Sequence, residues 1–222
     1  MKTPHDFLLY QGYEQCHKEA YPSRHNEIYM ACALNPDCML IEYMLKSPRD
    51  IEFEAKMLTF LYENGVKVPK IMARDDKTLM IEYLRGGTLV DTLADCEKNG
   101  GDFTEAASAL RDWLVSFHKV CAGFPDAKIT SAGDLSLTNF TLAPAGVVYG
   151  YDFENGDYTG SFEDDLHTLA AEILLCDKCS AEFKSAAARA LLGGDYDKNR
   201  LDAALERVCR EQGIENKPDV KL

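Results

Sequence analysis

Two kinds of periodicity divide the chain. "NEIYMACAL" and "CMLIEYML" are apolar runs on either side of Asn35-Pro36-Asp37, a turn signal, and they predict two strands. "SPRDIEFEAKMLTFLYENG" follows. Ser47 and Pro48 are start signals and Gly65 is a stop, while Ile51, Ala55, Leu58 and Leu61 form a stripe at helical spacing. "VKVPKIMAR" and "KTLMIEYL" predict two further strands around Asp75-Asp76.

After Gly86-Gly87 the period changes from two to 3.6. A short helix is expected over Thr88–Glu97 and a long one over Asp102–Cys121, the latter opening on Asp102 and Glu105 as a capping box. Leu110, Trp113, Leu114, Phe117 and Cys121 line its apolar face. Further helices are expected over Asp164–Cys176, Ala181–Leu192 and Leu201–Gln212. The order predicts an α+β fold of two lobes with a cleft between them: a small β-rich lobe over 1–82 and an α-helical lobe over 83–222. There is no internal repeat and no low-complexity segment.

Composition narrows the function. With 222 residues and 46% hydrophobic content, a sizeable core is available. A net charge of −13 argues against broad electrostatic binding to nucleic acid or an anionic membrane. No apolar run approaches the roughly 20 residues of a membrane span. "MKTPHDFLLYQG" lacks a signal-peptide core, so a cytoplasmic protein is expected. The eight cysteines are then expected as reduced thiols. Cys176-Asp-Lys-Cys179 is the only CxxC; it follows an apolar helical run and reads as a helix end rather than as a zinc or redox motif.

The candidate chemistry lies in "SAGDLSLTNFTLAPAGVVYGYDFENGD". Phe140–Leu142 is a short apolar run, Ala143-Pro144-Ala145-Gly146 a turn, and Val147–Phe153 a returning strand. In such a β-hairpin Asn139 stands before the first strand and Asp152 near the end of the second, so pairing brings them together. An amide oxygen and a carboxylate are oxygen ligands suited to Mg²⁺. Asp134, five residues before Asn139, is a third group able to take a proton from a hydroxyl. That set fits phosphoryl transfer, in which catalysis is mostly positioning and charge neutralisation.

At this point the chain resembles the protein-kinase-like superfamily, in its small-molecule and atypical branch. That branch holds aminoglycoside phosphotransferases, choline and fructosamine kinases, and the small kinases of the tRNA-threonylcarbamoyl machinery. "GDLSLTN" is similar to the catalytic loop, and "YDFENGDYTGSFEDDLHTLA" to the metal-binding segment with its following helix. The resemblance implies ATP and Mg²⁺, with Asp134 catalytic, Asn139 and Asp152 on the metal, and Asp165 steadying the loop. "FEAKMLTFLYENGVKVPKI" resembles the helix that carries the ion-pair glutamate, here Glu54. "MIEYLRGGTL" resembles the hinge, which implies adenine contacts from the Glu82 carbonyl and the Leu84 amide. "LLYQGYEQC" resembles a degenerate phosphate-covering loop around Gly12.

Three positions depart from the family pattern. Ala132 stands where the catalytic loop usually has histidine, and Glu154 where the metal motif usually has glycine. Twelve residues before Glu54, where fructosamine-kinase-like spacing puts the phosphate-gripping lysine, the chain has Glu42. Lys46 is on the same strand face but ~13 Å further on. A bulge or shortened strand would be needed to bring it back, and Lys18 is the other candidate. Two functions are therefore expected to compete: an ATP-dependent phosphotransferase acting on an unidentified acceptor hydroxyl, and a pseudokinase that binds nucleotide or serves as a scaffold. The acidic Asp157, Glu163 and Asp164 would suit a cationic acceptor if they face the site.

Overall fold

The structure is a computed structural model that describes residues 8, 12–21, 27–35, 37, 39–47, 50–125, 127–153, 158–194, 196–215 and 222. It is an α+β fold in two compact units. One comprises Met1–Leu84 with Asp152–Glu154, the other Arg85–Tyr151 with Asn155–Leu222. Pro36, Cys38, Pro48, Glu154 and Asp157 lie outside the described residues, as do the side chains of Cys16 and Lys18.

The first unit is an antiparallel five-stranded sheet with one long helix. Its strands are β1 (Glu14–Tyr21), β2 (Glu27–Leu34), β3 (Leu40–Ser47), β4 (Ile71–Arg74) and β5 (Leu79–Glu82), in the order β1-β2-β3-β5-β4. The β2–β3 turn is closed by Asn35, whose side-chain oxygen accepts the N–H groups of Asp37 and Met39. Alternation puts Ala31, Ala33, Tyr43, Leu45 and Met80 into one buried cluster with Leu8. Helix α1 (Ile51–Glu63) buries Ala55, Leu58 and Leu61 of the expected stripe together with Glu54 and Met57, while Ile51 is half-buried. Its cap is Asp50, which accepts the Phe53 N–H, rather than Ser47-Pro48. Asp50 is the last acceptor before the helix, so the start moves to it.

β1 is a strand that periodicity does not announce. Glu14, His17 and Glu19 are exposed, and β1 pairs with β2 alone at the sheet edge. An edge strand has no second neighbour to require an apolar face, and charge on it opposes pairing with other chains. Of the segment expected as a loop around Gly12, residues 9–11 lie outside the described residues, Gly12 is in a turn, and β1 begins at Glu14.

Among its described residues, the second unit holds a small sheet and five α-helices. The strands β6 (Gly87–Thr88), β7 (Phe140–Ala143) and β8 (Val147–Gly150) run antiparallel in that order. The helices are α2 (Leu89–Lys98), α3 (Thr104–Cys121), α4 (Phe162–Leu175), α5 (Ala181–Leu192) and α6 (Lys198–Gln212). Among the described residues, no helix is long and apolar enough to cross a membrane. The expected capping box on α3 is not formed. Phe103 takes the cap position with its ring buried, and Asp102 accepts the Thr104 N–H from outside the helix.

The β7–β8 hairpin forms on α3. Trp113 stacks on Phe117 at 5.3 Å between centroids and meets Phe140 edge-on at 5.0 Å. β8 is shorter than Val147–Phe153: it ends at Gly150, and Asp152 turns the chain with φ of +72°. Gly150 is required where it stands, because a Cβ there would lie 2.3 Å from the Trp113 ring. Gly150→Ala should therefore destabilise the fold by roughly 1–3 kcal/mol through overpacking. Gly101→Ala, whose added Cβ meets only the Cys96 carbonyl at 3.5 Å, should be close to neutral. Urea unfolding of the two variants checks the difference.

Candidate active site

Within the first unit a single cation stands between two carboxylates. Lys46 Nζ lies 2.7 Å from Glu54 Oε1 and 2.6 Å from Asp152 Oδ1. The lysine and glutamate side chains are 5% and 1% exposed, that of Asp152 25%. Elements on three parts of the chain supply them: β3, the first turn of α1, and the residue that turns the chain after β8. Burial alone would pull the Lys46 pKa down. The charges of Glu54 and then Asp152 outweigh it, and the net shift is upward. A buried ion is tolerated only with such partners.

Lys46 reaches Glu54 without any distortion of its strand. β2 and β3 pair in unbroken register from Glu27↔Ser47 to Leu34↔Leu40. The bulge or shortened strand expected from the twelve-residue spacing is not needed, because that spacing is not the one the fold uses. β3 ends at Ser47 and α1 starts at Ile51, with Glu54 in the first turn. So short a connection brings the end of the strand to Glu54, and the working spacing is eight residues. Glu42, half-buried and paired across the ladder with Cys32, is two pleat repeats before Lys46 and so away from this end. Lys18, in β1, pairs through its backbone with Ala31 of β2.

Asp152 is a non-glycine residue in the left-handed region, which costs of order 1–3 kcal/mol and persists only where surroundings enforce it. Of the other nucleotide-side candidates, Gly12 is exposed with φ of +79°. Glu82 ends β5 opposite Tyr43, its N–H donating to the Lys70 carbonyl. Leu84 is half-buried two residues on.

Within the second unit, Asp165 organises the loop that carries Asp134. It sits in the first turn of α4 and is 2% exposed. Oδ1 accepts the Ser131 hydroxyl at 2.6 Å, and Oδ2 accepts the Ala132 N–H at 2.7 Å and His118 Nε2 at 2.9 Å. A carboxylate only accepts, so His118 carries its proton on Nε2. Sequence inspection missed His118, which reads as one more residue of a long helix, and Ser131, which reads as loop. At Ala132, where the resemblance implies a histidine, the backbone N–H rather than a ring meets Asp165.

Asp134 is exposed at the tip of this loop. Asn139 is buried at the end of a single 3₁₀ turn, Leu137–Asn139, which Ser136 caps. Its Nδ2 donates to the Asp134 carbonyl at 3.3 Å, and its own carbonyl accepts the Tyr151 N–H. Because Nδ2 faces the loop, Oδ1 is the atom Asn139 can offer to a cation.

Other acidic and thiol groups take different parts. Asp164 is paired with Arg200 and accepts the Ser161 hydroxyl, so its charge is answered within the second unit. Glu163 is exposed on α4. Cys176 caps α4. Burial, then the neighbouring Cys176 and Glu97, push the Cys179 thiol up to about 12, which keeps it protonated and unreactive near neutrality. Among the described residues no three His, Cys, Asp or Glu side chains are grouped to hold a metal ion.

Removing the cation isolates a buried carboxylate. Lys46→Met should cost about 3–5 kcal/mol, the range for breaking a buried pair from one side. The raised pKa also sets a pH window. The contribution of Lys46 is complete below the unfolded value of about 10.4 and is lost as pH rises through the higher folded value. Urea unfolding across the alkaline range should show wild-type stability falling more steeply there than that of Lys46→Met.

No protein-family model matches the chain, and no curated protein matches it. Among solved structures, the chain is similar to a Plasmodium vivax ethanolamine kinase, with 14% sequence identity and a TM-score of 0.47, over 91% of this chain and 72% of that one.

Proposed function

We propose that the protein is an ATP-dependent phosphotransferase that moves the γ-phosphoryl group to a hydroxyl of a small molecule or protein. The observation that supports this most is the buried Lys46 with its carboxylates Glu54 and Asp152. A buried ion cluster of this kind could be replaced as a whole by well-packed apolar side chains at little or no loss of stability, although removing the lysine alone is costly. A binding role for its charge, neutralising phosphate oxygens as the γ-phosphoryl leaves, accounts for its presence.

The remaining roles follow from the donor set. Asp134, exposed on a loop anchored by Asp165, takes the proton of the acceptor hydroxyl as its oxygen bonds to phosphorus. The bond from phosphorus to the bridging oxygen breaks, and ADP carries away the electron pair. Asp152 and the Oδ1 of Asn139 each offer an oxygen that would suit Mg²⁺, which would supply charge neutralisation at the phosphates. Gly12, Glu82 and Leu84 would serve the nucleotide side, the last two through backbone groups that hold adenine. The pseudokinase alternative drew on Glu42 in the lysine's place. Lys46 beside Glu54 supports the enzyme reading over it.

Turnover of ATP with Mg²⁺ and an acceptor panel tests the proposal. Asp134→Ala should lower turnover by roughly 10²–10⁴-fold while nucleotide binding is retained, since the lost contact acts in the transition state. Lys46→Ala should lose turnover, and Glu42→Lys should gain none. Full activity in Lys46→Ala, or an inert wild type that first binds ATP as Glu42→Lys, would overturn the assignment.

A further inference from the structure

Glu172 is the one acidic side chain in the inner stretch of α4, between Asp165 and the helix end at Leu175. Its carboxylate joins two elements of the second unit. Oε2 accepts the Leu137 N–H and the Ser136 hydroxyl, both at a long 3.4 Å, and Oε1 accepts Gln212 Nε2 at 2.7 Å. Leu137 opens the 3₁₀ turn that ends at Asn139, and Ser136 lies two residues after Asp134. Gln212 is the last residue of α6.

The loop therefore has two anchors. Asp165 holds its start through Ser131 and Ala132. Glu172 holds its middle, where the first N–H groups of a helical turn lack internal acceptors. Keeping a carboxylate there is costly. Burial pushes the Glu172 carboxyl up from its ordinary value, the bonds from Leu137 and Ser136 oppose that, and the Asp134 charge adds to the rise. An apolar residue would fit the rest of the helix better, so the cost points to the bonds.

We propose that Glu172 is a positioning residue that couples the seat of the last helix, through Gln212, to the geometry of the Asp134–Asn139 loop. Its catalytic meaning rests on the phosphotransfer role proposed for that loop; the tether itself does not. The C-terminal helix, remote in sequence from every motif, then becomes part of what sets the reacting groups.

Amide hydrogen exchange of Leu137 in the full chain, read by NMR, tests the tether without any substrate. Glu172→Leu should speed its exchange by roughly tenfold or more, the loss expected for a bond to a charged acceptor. Gln212→Ala should speed it less. Gln212 is exposed at a helix end, so that variant keeps the test open where Glu172→Leu fails to fold. Glu172→Gln, whose Oε1 can accept the Leu137 N–H while the Gln212 amide turns over, should restore most of the protection. With Mg²⁺ and ATP, kcat should fall in step with lost protection while the KM for ATP stays constant. Unchanged Leu137 exchange in both disrupted variants overturns the tether. Faster exchange with unchanged kcat overturns the positioning role. Faster exchange in the variants, with a wild type that does not turn over ATP, sinks the phosphotransfer reading and leaves the tether standing.

Discussion

One ammonium group, on Lys46, sets the terms for the first unit. Inside a protein it is stable only beside anions, and two carboxylates from separate parts of the chain meet it. That requirement fixes which face of β3 turns toward α1, because Tyr43 and Leu45 on the other face are packed into the apolar cluster. It also fixes where α1 begins relative to the strand, since Glu54 must come in its first turn. And it draws Asp152, more than a hundred residues later, into the first unit.

The second unit solves the mirror problem. There the buried charge is an anion, Asp165, and its partners are three donors rather than one ammonium. Distributed hydrogen bonds to a carboxylate are strong and directional. An ion pair sets a distance; three donors in fixed directions set an orientation. Asp165 thus holds the start of a loop on which the Asp134 side chain stays exposed. Such anchoring would suit the general-base role proposed for Asp134.

Much of this was legible in the sequence, and the failures have physical causes. Period-2 runs gave β2 to β5, and the helical stripes gave α1 to α6 within a few residues, because each element buries one face. β1 was missed because an edge strand need not alternate. The α3 capping box was misread because a buried aromatic, Phe103, competes for the cap position better than pattern rules allow. The cluster at Glu54 was legible only in kind. Spacing counted along the chain assumes a length for the link between β3 and α1, and a link this short moves the meeting point toward the strand's end. His118 and Glu172 were invisible for a different reason. Each sits in an otherwise ordinary helix, and only the fold shows what it faces.

The conformation of Asp152 is the least expected detail and the most informative. Nothing about a hairpin end demands a left-handed aspartate; asparagine or glycine would adopt φ of +72° at lower cost. Glycine would lose the carboxylate at Lys46, and asparagine would lose its charge. The strain is retained because the backbone must turn at the residue whose side chain must also be an anion. Two requirements falling on one residue is the pattern expected where a chain gives up local stability for chemistry. The same conflict appears at Glu172, where burial and a neighbouring carboxylate oppose a charge that the loop's N–H groups need. In both places, the residue that fits its local surroundings worst lies within two positions or one hydrogen bond of the loop and hairpin that carry the acidic motif.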